Sequence, residues 1–285
     1  HGKSTTASII YEILHRAGKK VSCHIGADVF APRFKCGDDF LVVEACEYNK
    51  SFLRLKPTIS VVTNVEAEHL DTYKNIFNLK TAFLTFLKRG EKRFVFDSAS
   101  VDFLKRTKNV TFVSKTKLNI NPKIKGEYNL NNISLAIAVA HELNIDDSTI
   151  IKAVNSFSGV PRRYEYLGKY DNAKIFIDYA HHPTELKSFI QAFSTEFPDH
   201  KIVFQPHTYS RTKMFLKEFL QALKDVKNLC IFKEYPAREK KNLGLGAHDL
   251  YLELKKYNQG VRYGASMKSL LNFVSGCEPV AFVGA

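Results

Sequence analysis

The chain has 285 residues, 45% of them hydrophobic, and carries 42 lysines and arginines against 29 aspartates and glutamates, a formal charge of +13. That composition excludes a short peptide or a disordered chain and suggests about two domains at ~150 residues each. No apolar run approaches the roughly 20 residues of a membrane span, and the opening His1-Gly2-Lys3-Ser4 lacks the basic-then-apolar layout of a signal peptide; the expectation is a cytoplasmic protein with no membrane partner.

In chain order, Lys3 to Ala17 has helical spacing in Ile9, Ile10, Ile13 and Leu14, with Gly18 as a stop. Apolar runs of strand length follow at Phe40–Val43, Ile59–Val62, Phe94–Phe96 and Val110–Val113, and each reads as buried on both faces. Helical stretches accompany them at Asn78–Lys88, Asn129–Leu143 and Asp146–Phe157. Gly159-Val160-Pro161 breaks the pattern, which then restarts. Strand-like runs recur at Ile175–Asp178, Ile202–Gln205, Leu229–Phe232 and Val280–Val283, separated by amphipathic stretches at Thr184–Phe197, Lys213–Leu223, Ala247–Lys256 and Met267–Val274. Strand–helix alternation implies an α/β fold with mostly parallel sheets, divided into domains over 1–160 and 161–285.

The positive charge suits anionic ligands such as a nucleotide or a phosphorylated sugar. Its basic residues are spread along the chain, with only short clusters such as Lys105-Arg106, so no nucleic-acid partner is expected. The five cysteines are odd in number and include no Cys-x-x-Cys pair, which fits free thiols better than a zinc site or disulfides.

Six polar motifs sit where α/β sheets place chemistry. Gly2-Lys3-Ser4-Thr5 opens a helix and matches the tail of a phosphate-binding loop: glycine admits close backbone approach, lysine reaches the phosphates and the serine hydroxyl binds Mg²⁺. A tetrapeptide this short also arises by chance. Glu44 in Val43-Glu44-Ala45-Cys46-Glu47 ends a strand; it is either a magnesium ligand or a solvated acid. His69 follows another strand among Glu66, Glu68 and Asp71, where a metal role competes with a surface histidine. Asn129 and Asn132 start a helix and either cap it or read a nucleobase. Arg162-Arg163 precedes Asp178-Tyr179-Ala180-His181-His182-Pro183-Thr184-Glu185, and Gln205-Pro206-His207-Thr208-Tyr209-Ser210-Arg211-Thr212 follows a further strand.

In this order the motifs resemble the Mur ligase family, ATP-dependent amide-forming enzymes of peptidoglycan synthesis. The last two motifs are most similar to the member that joins L-alanine to UDP-N-acetylmuramate. The resemblance implies a P-loop-type central ATPase domain followed by a Rossmann-like C-terminal domain. It implies that Gly2, Lys3, Ser4 and Thr5 hold the ATP phosphates, and that Ser4, Glu44 and His69 hold magnesium. Asn129 and Asn132 would lie by the nucleotide, Asn132 on the adenine, while Arg163 and Asp178 close on phosphate and ribose. Tyr179, His181, His207 and Arg211 would surround L-alanine and the reacting carboxylate, with Lys3, Arg163, His181 and Arg211 as the catalytic set. The partners so implied are UDP-N-acetylmuramate and L-alanine, and the cofactors ATP and Mg²⁺.

Cys46, Asn49, Glu68 and Tyr128 depart from the family's usual residues, which bears on the tuning of magnesium and nucleotide binding. The chain opens inside the first motif and closes just after a strand, so a fragment lacking the UDP-binding domain, inactive alone, is expected. Two other readings are a sister ligase using another amino acid or a tripeptide, and a nucleotide-binding homologue that has lost the chemistry.

Overall fold

The computed structural model describes residues 1–26, 34–35, 37–68, 70–237, 239–240 and 244–284. The chain divides into two units, His1–Pro161 and Arg162–Ala285. Among the described residues no helix is long and apolar enough to cross a membrane.

In the first unit α1 (Lys3–Arg16) is followed by β1 (Val21–His24), β2 (Phe34–Lys35), β3 (Phe40–Val43) and β4 (Ile59–Val62), then α2 (Leu70–Tyr73) and α3 (Ile76–Arg89). The unit continues with β5 (Lys92–Phe96), β6 (Thr111–Val113), α4 (Glu127–Glu142) and α5 (Asp147–Ser156). Its strands form two sheets, ordered β2-β1-β3 and β4-β5-β6. All pairings are parallel except β1 with β2. Helix starts are set by short polar side chains: Asn75 accepts from the Asn78 amide at 2.9 Å before α3, and Asp146 accepts from the Thr149 amide at 3.0 Å before α5. The apolar face of α1 (Ile9, Ile13, Leu14) packs with Ile133, Ile137 and Ile150 in one core cluster, and Phe52, Leu79, Phe86 and Val95 form another. Between β3 and β4 lies a cavity of about 650 Å3 whose walls include Ile10, Phe40, Val42, Val61 and Phe83.

The second unit runs β7 (Glu165–Tyr170), β8 (Ala173–Asp178), α6 (Pro183–Glu196), β9 (Lys201–Gln205), α7 (Tyr209–Met214) and α8 (Leu216–Leu223). It ends with β10 (Leu229–Phe232), α9 (Ala247–Lys255), β11 (Arg262–Gly264), α10 (Met267–Val274) and β12 (Val280–Gly284). One sheet results, in the order β11-β10-β9-β12-β8-β7. Only the β7–β8 hairpin is antiparallel. Central strands are apolar on both faces: Ile202 and Phe204 face one cluster with Phe189, Phe193 and Leu250, while Val203 and Cys230 face another with Phe273 and Val274.

The architecture is the mostly parallel α/β arrangement implied by the sequence, with several differences, among them the short strands β1, β2 and β11, which no apolar run marks. β3 is not buried on both faces: Leu41 is 62% exposed. The amphipathic stretch Lys213–Leu223 breaks at Phe215, which separates α7 from α8. The hairpin strand β7 was not anticipated, since its half-exposed residues form a sheet edge without a continuous apolar run.

Candidate active site

In the first unit the functional residues gather where α1 begins. Gly2 precedes the helix with φ +78, a left-handed conformation that favours glycine, and a Cβ there would lie 2.2 Å from Asn132 Oδ1. Only glycine allows this close approach of the loop to α4. Asn132 and Asn129 are both buried, and the Asn132 amide donates to Asn129 Oδ1 at 3.4 Å. The Asn129 amide itself donates to the Lys125 carbonyl at 2.7 Å. Asn132 therefore stands against the phosphate-loop glycine. Thr5 is buried on α1.

The ends of β3 and β4 both reach this helix start. Ser4 Oγ donates to Glu44 Oε1 at 2.9 Å, and the Gly26 amide donates to Glu44 Oε2 at 2.8 Å. After β4, Thr63 Oγ1 and Asn64 Nδ2 donate to the His1 carbonyl at 2.6 and 3.0 Å. Lys3 Nζ lies 3.0 Å from Glu47 Oε2 and donates to Oε1 at 3.1 Å. Burial works against the charged ammonium, but Glu47, and then Glu68 and Glu44, outweigh it and hold Lys3 above the ordinary lysine value. Tyr73 fixes Glu47 in turn, its hydroxyl donating to the Glu47 carbonyl at 2.5 Å. His69, expected among the magnesium ligands, lies outside the described residues.

Ser4 and Glu44 set two hard oxygen donors side by side, the donor chemistry that magnesium takes. The helix N-terminus and Lys3 add positive charge for phosphates.

The second unit assembles its set from the ends of β8 and β9. Asp178, at the end of β8, is 3% exposed; its oxygens accept from the Tyr164 amide at 2.8 Å and the Ala180 amide at 2.7 Å. Burial pushes its carboxyl up to about 6, against the opposing pull of Arg163 and the two amides. Asp178 is thus a buried post for the turn carrying Arg163. Arg162 and Tyr164 take positive φ on either side of Arg163. The guanidinium groups of Arg162 and Arg163 lie 4.6 and 5.5 Å from the Tyr179 ring centroid.

Glu185 joins the rest. One oxygen accepts from Arg163 Nη1 at 3.4 Å, and the other from the His181 and His182 amides at 3.2 and 3.4 Å. His181 Nδ1 is 2.9 Å from the Tyr179 carbonyl, which can only accept, so this nitrogen carries the proton and Nε2 is the basic one. His207 has the opposite tautomer: its Nδ1 accepts from Arg211 Nη1 at 2.6 Å, which puts the proton on Nε2. The two rings lie edge to face with centroids 5.6 Å apart. Tyr179, His181, His207 and Arg211, from motifs about thirty residues apart in sequence, are brought together here.

Glu47 and Glu185 were missed by sequence reading. Both stand inside the quoted motifs, yet their partners Lys3 and Arg163 lie 44 and 22 residues away.

A glycine and a lysine open a helix beside a strand-end carboxylate in a parallel α/β framework, the place where such folds put ligand groups. Residues 1–96 match the Mur ligase middle domain and residues 162–279 the Mur ligase, glutamate ligase domain. The chain belongs to the Mur ligase family, ATP-dependent enzymes that form amide bonds. It is 33% identical over 313 residues to the UDP-N-acetylmuramate–L-alanine ligase of Acetivibrio thermocellus, covering 96% of this chain and 67% of that protein. For the enzyme of the same name from Aquifex aeolicus the identity is 35% over 288 residues, covering 88% and 63%. The chain thus spans about two thirds of the length of these relatives. The solved UDP-N-acetylmuramate-alanine ligase of Thermotoga maritima superposes with a TM-score of 0.80 at 21% identity, covering 99% of this chain and 70% of that one. At that identity the likeness carries the fold alone.

Proposed function

We propose that the whole protein joins L-alanine to the carboxylate of UDP-N-acetylmuramate with consumption of ATP, in the cytoplasm, as a step of peptidoglycan precursor synthesis. The observation that carries this reading is the convergence of Tyr179, His181, His207 and Arg211 in a chain whose curated relatives bear that activity in their names.

A carboxylate resists attack by an amine until one oxygen becomes a good leaving group. Transfer of the γ-phosphoryl group of ATP to that oxygen gives an acyl phosphate and ADP. The amine then attacks the carbonyl carbon, a tetrahedral intermediate forms, and phosphate leaves as the nitrogen loses a proton. Lys3 and the start of α1 neutralise the phosphates. Ser4 and Glu44, with His69, are the residues that would hold magnesium, which when bound offsets charge on the transferring group. Arg163 adds a fixed positive charge. Basic Nε2 of His181 suits acceptance of the amine proton, while the Nε2–H of His207 and the guanidinium of Arg211 suit a carboxylate. Positioning carries most of the catalysis, because little covalent protein chemistry is required.

The test is phosphate release by the whole protein with ATP, Mg²⁺ and UDP-N-acetylmuramate, across L-alanine, glycine, L-serine and a tripeptide that begins L-Ala-γ-D-Glu. Highest release with L-alanine supports the proposal. Release only with the tripeptide assigns a peptide-recycling ligase instead. No release with any amine indicates a fold that has lost its chemistry.

A further inference from the structure

Described residues of the segment that follows β10 are fastened to the chain that runs from the end of β9 into α7. Gln205 Nε2 donates to the Lys233 carbonyl at 2.8 Å. The Tyr235 amide donates to the Pro206 carbonyl and the Thr208 amide returns to the Tyr235 carbonyl, both at 2.9 Å, a parallel bridge that sets Tyr235 beside His207. Their rings stack with centroids 5.6 Å apart and planes at 15°. Glu234 accepts from the Tyr209 hydroxyl at 2.9 Å and from the Ala247 amide, at the start of α9, at 3.0 Å. Glu239 takes both donors of Ser210: the amide at 2.9 Å on one oxygen, the hydroxyl on the other. The Leu245 amide donates to the Tyr209 carbonyl at 3.2 Å.

Inside this clamp Thr208 has φ +65 and ψ 145, backbone space that a β-branched residue enters only when its surroundings hold it there. The turn it makes carries the chain from His207 into α7, so that Arg211 Nη1 meets His207 Nδ1 at 2.6 Å. Ser210 stands between Thr208 and Arg211, and its two donors end on Glu239.

We propose that Glu239 is a positioning residue for amino-acid binding: by holding Ser210 it keeps the strained turn that places Arg211 against His207. The proposal rests on the ligase function above and extends it to a residue outside both amine-side motifs. Glu239 does not touch substrate; it acts through Ser210. A glutamine keeps the shape but loses the charge, and its Nε2 can only donate to the Ser210 hydroxyl, so both charge-assisted bonds from Ser210 give way to weaker neutral ones.

The experiment is steady-state phosphate release by the whole protein, for wild type, Glu239→Gln, Ser210→Ala and the double variant, using the best amine of the panel. Glu239→Gln is expected to raise KM for the amine about tenfold while KM for ATP stays within twofold and the melting temperature moves by no more than a few degrees. Ser210→Ala is expected to raise KM for the amine several-fold, and the double variant to be no worse than Glu239→Gln alone, because both changes break one connection. An unchanged amine KM in Glu239→Gln overturns the proposal. Equal changes in both KM values with a large drop in melting temperature also overturn it, since that marks a merely structural role. If the wild type turns over with no amine, the functional reading fails and this inference falls with it; if the wild type turns over normally, only the inference is at stake.

Discussion

Lys3 and Glu47 form an ion pair, Nζ to Oε2 3.0 Å, between the first turn of α1 and the segment after β3, with the glutamate side chain 9% exposed. The pair fixes the ammonium where the phosphates of a nucleotide are expected. Glu47→Gln removes the charge that favours the ammonium and should cost about 2 kcal/mol of stability, the scale of a hydrogen bond to a charged group. Chemical denaturation checks this. Lys3→Ala should reduce turnover of the whole protein more than tenfold, about 1.4 kcal/mol in the barrier; a smaller loss in phosphate release counts heavily against the phosphate role.

The contact between Ser4 and Glu44 predicts a magnesium phenotype. Glu44→Gln keeps an acceptor for the Ser4 hydroxyl but removes a negative charge. The Mg²⁺ concentration for half-maximal phosphate release should rise at least tenfold, with little change in melting temperature. A Mg²⁺ titration of wild type and variant decides it, and an unchanged midpoint removes Glu44 from the ligand set.

Gly2 gives a steric prediction. Alanine there meets Asn132 Oδ1 at 2.2 Å and must hold φ +78. Gly2→Ala should weaken binding of a fluorescent ATP analogue at least tenfold. Equilibrium titration of wild type and variant checks this, and an unchanged affinity is the contrary result.

Asp178 sets a pH dependence of stability. Its folded value is about 6 against an ordinary 3.8, so the folded state holds the proton longer than the unfolded state. Stability from this group is fully present below about pH 3.8 and is lost as pH rises through about 6. Relative to Asp178→Asn, the wild type should lose up to about 3 kcal/mol between acid and neutral pH. Denaturation of both proteins at several pH values tests the sign; a difference that grows with pH is the contrary result.

Much of the frame was legible because buried parallel strands write themselves as short apolar runs. Phe40–Val43, Ile59–Val62 and Leu229–Phe232 are strands with the bounds their apolar runs suggest. Val21–His24 was not legible, since Val-Ser-Cys-His alternates polar and apolar over too few residues to separate from a turn. Exposure of Leu41 was also hidden: a strand's own residues do not tell which of its faces the rest of the fold covers. At the site, strand-end polar residues stood out by position. Glu185, Glu234 and Glu239 did not, because an acid's role depends on which donor the fold brings to it, and their partners Arg163, Tyr209 and Ser210 are 22 or more residues away.

The place of β12 has a consequence for synthesis. This strand lies between β8 and β9, pairing Val280 with Ile175 on one side and with Lys201 on the other. Until it leaves the ribosome, β8 with its hairpin partner and β9 with β10 and β11 are two sheet fragments with no backbone link. The sheet of the second unit is therefore closed by a strand that follows its partner Ile175 by more than a hundred positions. A nascent chain halted before Val280 carries two unclosed sheet edges, one on each fragment, the kind of unpaired edge that invites aggregation.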